Sequence, residues 1–110
     1  MKSNNDRHSE YYEAILQIRP ANKEVLDFVA EMHSNGKVVA AICHGLWVLV
    51  SAKILKGKRV TCFSAIKDDV MNAGAEYFDK EVVVDDNIIT SRKPDDLPAF
   101  CREIIKALSD

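Results

Sequence analysis

Apolar residues come in short blocks along this chain, and their spacing alternates between helical and extended. Residues 1–9 are almost wholly polar and are expected to be mobile, with little to bury. Residues 10–18, EYYEAILQI, suit a short helix. A clearer helix follows: Asn22 can cap it, Val25, Phe28, Val29 and Met32 fall at i, i+3, i+4 and i+7, and Gly36 can stop it. Residues 38–42 form a strand apolar on both faces, as in a parallel strand covered by helices on either side. LWVLVSAKIL (46–55) suits a buried helix ending near Gly57. RVTCF (59–63) reads as a second strand, and AIKDDVMNAG (65–74) as a short helix with Gly74 at its end. EVVVDDNIITS (81–91) reads as a hairpin turning at Asp85, Asp86 and Asn87. The last helix starts near Asp95 or Asp96, tolerates Pro98 in its first turn, and offers Phe100, Ile104, Ile105 and Leu108 as an inner stripe.

This order of helices and strands predicts an α/β layered fold. A doubly wound sheet usually has about five or six strands, yet only two segments here read as central parallel strands. The opening β-α-β unit of such a fold is not evident.

Composition narrows the picture. A chain of 110 residues suits one domain, and a hydrophobic fraction of 47% with 29% charged residues suits a packed core rather than disorder. The net charge of −2 gives no basic surface for nucleic acid or an anionic membrane. No apolar run approaches the ~20 residues of a membrane span. The polar N-terminus lacks the apolar core of a secretion signal, so a cytoplasmic location is expected. Three cysteines, an odd number, read as reduced thiols rather than a disulfide frame.

One of those cysteines stands apart. In VVAAICHGLW (38–47), Cys43 ends an apolar strand with His44 beside it, and Ala41 and Gly45 lie two residues to either side. A nucleophile on a tight strand-to-helix turn needs small residues there, because backbone approaches backbone; this is the logic of a nucleophile elbow with cysteine in place of serine. A helix beginning at the cysteine would favour the thiolate and offer N–H groups to an oxyanion. His44 can carry the proton if its ring reaches the sulfur or the substrate. The plainer alternatives are a core cysteine and a surface or capping histidine. Cys62 and Cys101 read as structural thiols. No Cys/His pair has metal-ligand spacing, so neither a metal nor a cofactor is expected. KDD (67–69) and PDD (94–96) read as helix starts. Tyr11 and Tyr12 suit packing or an interface, and Trp47 suits the core or the mouth of a pocket.

Beyond these local signals, AAICHG, LVSAKILKGKRVT and IKDDVMNAGAEYFDKEVVVDDNIITSRKPDDLPAFCREIIKAL closely resemble the PfpI family of intracellular cysteine proteases. That family belongs to the ThiJ/PfpI superfamily, and the resemblance covers about residues 20–108. It implies a partial flavodoxin-like, class I glutamine amidotransferase-like three-layer sandwich without its first β-α-β unit. It also implies nucleophilic Cys43, His44 beside it, and an acidic partner. In DRHSEYYEAI, Arg7 and Glu10 match a degraded form of the family's GGRxPE segment, making Glu10 the candidate acid and Glu13 the fallback; a gapless alignment places Gln17 there instead. Ser91 and Arg92 lie where the family chain returns towards its pocket, so Arg92 is either an anion contact or one side of a loop salt bridge. The implied function is a cysteine hydrolase, a peptidase or a deglycase or glyoxalase-like enzyme, acting on a peptide or small carbonyl-adduct substrate, commonly as a homo-oligomer. The alternative is a catalytically incomplete remnant, serving as a redox-responsive thiol protein or an interaction module. Without the family's first half, strand 38–42 would be left as an apolar sheet edge that must be covered.

Overall fold

The computed structural model describes residues 23–109. The polar start and the helix expected at 10–18 lie outside the described residues. Helix α1 (Lys23–Ser34) leads to β1 (Val39–Ile42). A 3₁₀ turn at Cys43–Gly45 runs into α2 (Leu46–Ser51), then β2 (Arg59–Val60). A second 3₁₀ turn at Ser64–Ile66 opens α3 (Lys67–Asn72), followed by β3 (Glu76–Tyr77), β4 (Val82–Asp85) and β5 (Ile88–Ser91). The 3₁₀ turn Pro94–Asp96 opens α4 (Leu97–Ser109).

β1 pairs in parallel with β5, and β5 pairs antiparallel with β4, giving a three-stranded sheet in the order β1-β5-β4. The register puts Val39, Ala41, Ile88 and Thr90 on one face and Ala40, Ile89 and Ser91 on the other, as the period-2 pleat requires. α1, α2 and α3 cover the first face, where Leu46, Leu49, Leu55, Val60, Ile66 and Val70 build the main core with Val39 and Ile88. α4 packs on β4 and β5 from the other side with Ala99 and Phe100 buried. The result is a helix–sheet–helix sandwich.

The second sheet is small and joins the first through side chains. β2 pairs in parallel with β3, an element absent from the hydrophobic pattern because two residues are too few to show a period. On its other edge, the N–H of Arg59 donates to the carboxylate of Asp85 at 2.8 Å, and the N–H of Thr61 donates to the hydroxyl of Thr90 at 2.9 Å. The Asp85 carboxyl is held below its ordinary range, first by that backbone N–H and then by the Arg59 charge. Side-chain oxygens thus take the place of a backbone ladder.

Several expected boundaries move. The helix expected over 46–55 stops at Ser51. The N–H of Lys53 bonds the carbonyl of Val50, that of Ile54 bonds Leu49, and Lys53 adopts φ +62°, a Schellman ending on a non-glycine residue. Gly36 and Gly74 close α1 and α3 in the same way. The strand expected over 59–63 pairs only at its first two residues. The hairpin has a two-residue turn, with Asp86 at φ +56° and Asn87 donating to the carbonyls of His33 and Lys37, which moors the turn to the end of α1.

Three burial expectations also fail. β1 is not buried on both faces, since Ala40 is exposed. Among the described residues β1 has a strand partner on one side only. The inner stripe of the last helix is buried at Phe100 alone: Ile104 is half-buried, and Ile105 and Leu108 are 64% and 69% exposed, because α4 runs on past the short strands it covers. Phe28 of α1, expected on a buried face, is 60% exposed.

Candidate active site

The strand β1 is extended up to Ile42 (φ −132°, ψ 143°) and then reverses in one residue, with Cys43 at φ +62°. A left-handed conformation costs a residue with a Cβ roughly 1–2 kcal/mol, so it persists only where the surroundings hold it. Among the described residues, the two other non-glycine residues with positive φ, Lys53 and Asp86, end a helix and make a hairpin turn. Cys43 does neither. It sits where a parallel strand feeds directly into a helix, and the turn presents its half-buried side chain at the end of the sheet.

The neighbouring ring faces the sulfur. Sγ of Cys43 lies 3.3 Å from Nδ1 of His44, within reach of an S–H···N or imidazolium–thiolate contact. The His44 ring has an aromatic ring on two sides: Trp47 at 5.1 Å between centroids and Phe63 at 5.0 Å, both tilted. The indole of Trp47 is itself anchored, its Nε1–H donating to Oδ2 of Asp69 at 2.7 Å. Asp69 does stand in the first turn of α3, as a helix start predicts, but its carboxylate also reaches the site. Trp47 and Asp69 are 22 positions apart, and nothing in the stretch between them carries a pattern that would announce this bond.

Two local expectations are milder than supposed. A Cβ placed on Gly45 would meet the Cβ of Ala41 at 3.7 Å, an ordinary contact, so the elbow is not crowded at that point. The helix behind the cysteine has six residues rather than ten and aligns fewer peptide dipoles.

The remaining candidates sort by their contacts. Cys62 is fully buried, and its thiol is pushed up to about 11 by burial first, with the charges of Asp69 and Cys43 adding to the effect. It is therefore a protonated core thiol, while Cys101 is exposed on α4. The Arg92 guanidinium donates from Nε and Nη2 to the two carboxylate oxygens of Asp96 (2.9 and 3.1 Å) and from Nη1 to Asp79 (3.0 Å). Arg92 is thus the loop salt bridge of the two alternatives, not a free anion contact. Asp96 makes no helix-capping hydrogen bond; it is buried and paired, and Arg92 holds its carboxyl below the usual range. The Ser91 hydroxyl is committed to the carbonyl of Glu81 at 2.6 Å. Arg7, Glu10, Glu13 and Gln17 lie outside the described residues. Among the described residues no three His, Cys, Asp or Glu side chains converge as metal ligands, and no helix is long and apolar enough to cross a membrane.

The same arrangement of elements occurs in known proteins. The sequence model of the DJ-1/PfpI family matches residues 17–107. The chain is 47% identical over 87 residues to a protein of Pyrococcus furiosus named Deglycase PfpI, covering 79% of this chain and 52% of that protein. It is 51% identical over 82 residues to the Protein/nucleic acid deglycase 2 of Escherichia coli, covering 74% and 48%. The chain thus spans about half the length of these curated relatives. Among solved structures, it superposes with a TM-score of 0.80 and 48% identity on a two-domain protein from Anabaena variabilis that contains DJ-1/ThiJ/PfpI-like and ferritin-like domains. That match covers 82% of this chain and 26% of the other.

Proposed function

This chain belongs to the DJ-1/PfpI family, and from that membership we propose that it carries the nucleophile of a hydrolase-type deglycation, the removal of small carbonyl adducts from amines. The observation that carries the reading is the left-handed Cys43, with its sulfur 3.3 Å from Nδ1 of His44. The substrate class is supported by the two deglycase relatives at 47% and 51% identity.

In the proposed step, the Cys43 thiolate attacks the carbon that joins the adduct to the amine. The S–C bond forms, the C–N bond breaks, and the amine departs with the proton carried by His44. Water then cleaves the S–C bond and returns the thiol. Peptide hydrolysis would use the same sequence of bond changes. Glu10 is proposed as the acid that orients His44, with Glu13 as the fallback, and a cytoplasmic homo-oligomer as the working state. A second reading is a thiol protein that reacts without turnover, which needs the same left-handed Cys43 beside His44 and no leaving group.

Limiting iodoacetamide near neutral pH, followed by peptide mass spectrometry, is expected to label Cys43 ahead of Cys62 and Cys101. Release of methylglyoxal from a preformed adduct with N-acetyl-lysine, followed by NMR, is expected in the parent protein and lost in Cys43→Ala. Selective labelling without release would establish the second reading; labelling of Cys43 no faster than Cys101 would remove both.

A further inference from the structure

His44 can serve Cys43 only while its ring keeps Nδ1 turned to the sulfur, and an exposed histidine has free rotation about two side-chain bonds. Its ring meets Cys43, Trp47 and Phe63, and no carboxylate bonds it among the described residues. Among the described residues, what limits the ring is therefore aromatic. Phe63 follows the buried Cys62 and is half-buried, so that wall is carried by the core. Trp47 is 41% exposed and would be the looser wall, were its indole not tied at 2.7 Å to Asp69 on a different helix.

We infer that Asp69 and Trp47 are positioning residues for the Cys43–His44 pair: Asp69 fixes the indole, and the fixed indole, with Phe63, holds the imidazole against the sulfur. The inference rests on the proposed roles of Cys43 and His44. It concerns the orientation of a ring rather than any contact with substrate. Asp69 is not required to exchange a proton, only to present an acceptor oxygen to an N–H. An asparagine, which keeps a carbonyl oxygen, should therefore replace it, and an alanine should not.

Trp47 is the sole tryptophan of the chain, so its fluorescence reports this contact alone. A histidine ring in contact with an indole quenches its emission. At one fixed pH, Trp47 emission should therefore match the parent in Asp69→Asn and rise in Asp69→Ala and in His44→Gln. In parallel, alkylation of Cys43 near pH 7 should slow roughly two- to tenfold in Asp69→Ala and in Trp47→Phe, the scale of one aromatic contact. It should be restored in Asp69→Asn, and the double variant Asp69→Ala/Trp47→Phe should be no slower than either single one. The substituted residues His44, Trp47 and Asp69 are exposed, and thermal melting would show that the variants fold.

If His44→Gln slows Cys43 while Asp69→Ala and Trp47→Phe match the parent in rate, the positioning roles are wrong and the nucleophile pair stands. Full quenching retained in Asp69→Ala would equally overturn them. If Cys43 reacts no faster than Cys101, the pair itself fails and this inference falls with it.

Discussion

Replacing Thr90 by valine removes one oxygen from a place that water does not reach. Thr90 and Thr61 are both fully buried, and the Thr90 hydroxyl accepts the Thr61 N–H at 2.9 Å while lying 3.4 Å from the carbonyl of Val83. Valine has nearly the same shape, so no cavity opens. The Thr61 N–H is instead left buried without an acceptor, at a cost of about 1–3 kcal/mol. The added methyl recovers at most about 0.8 kcal/mol. The net loss should be about 1–2 kcal/mol, or roughly 4–10 °C in melting temperature for a chain of this size. Urea denaturation followed by circular dichroism gives the energy, and hydrogen exchange gives its origin. In Thr90→Val the Thr61 amide should lose protection. In Thr90→Ser, which keeps the oxygen and loses a methyl, the protein should weaken by about 1 kcal/mol with the Thr61 amide still protected. A valine variant as stable as the parent, with that amide still slow to exchange, would refute the claim that a side-chain oxygen joins the two sheets.

Three further outcomes follow from the same geometry. The Cys62 thiol, at about 11 in the fold against 9.0 when unperturbed, keeps its proton longer folded than unfolded. Its contribution is complete below pH 9 and is lost as pH rises towards 11, a decline on the order of 2–3 kcal/mol; urea titrations should find a smaller alkaline decline in Cys62→Ala than in the parent, with Tyr77, also raised by burial, contributing to what remains. Asp96 behaves in the opposite sense, because Arg92 lowers its pKa. Its stabilisation is present above the ordinary carboxylate range and is lost as pH falls through the depressed value, so Arg92→Gln should flatten the acid limb of a stability–pH curve, with Asp85 still contributing to what remains. Lys53→Gly should raise stability by roughly 0.5–1 kcal/mol, because glycine takes the left-handed ending of α2 without strain; a differential scanning trace no higher than the parent's would contradict this.

Legibility differed by element for physical reasons. α1 was readable because Val25, Val29 and Met32 repeat at the helical period before a glycine. The hairpin was readable because two β-rich runs flank residues that accept positive φ. β3 was not, since two paired residues carry no periodicity, and β2 was read three residues too long. The early end of α2 was hidden because a lysine, not a glycine, takes the left-handed turn. The stripe on α4 was read as buried from its spacing, but spacing says which residues share a face and not how far a covering element extends; Ile105 and Leu108 lie beyond it.

The candidate site divides in the same way. Cys43 and His44 are adjacent in the chain, and a strand running into a helix with small residues around the cysteine is a local pattern, so the elbow was legible without the fold. The family resemblance, too, was carried by contiguous motifs. What surrounds that pair depends on contacts between distant segments: Phe63 from beyond β2, Asp69 from α3 holding Trp47 of α2, and Arg92 closed onto Asp79 and Asp96. A sequence states which groups are available, and local backbone preference places neighbours. Only packing decides which groups meet across many residues, because those distances follow from the way the layers close on one another. For that reason the left-handed turn at Cys43 could be read from ten letters, and the groups gathered around His44 could not.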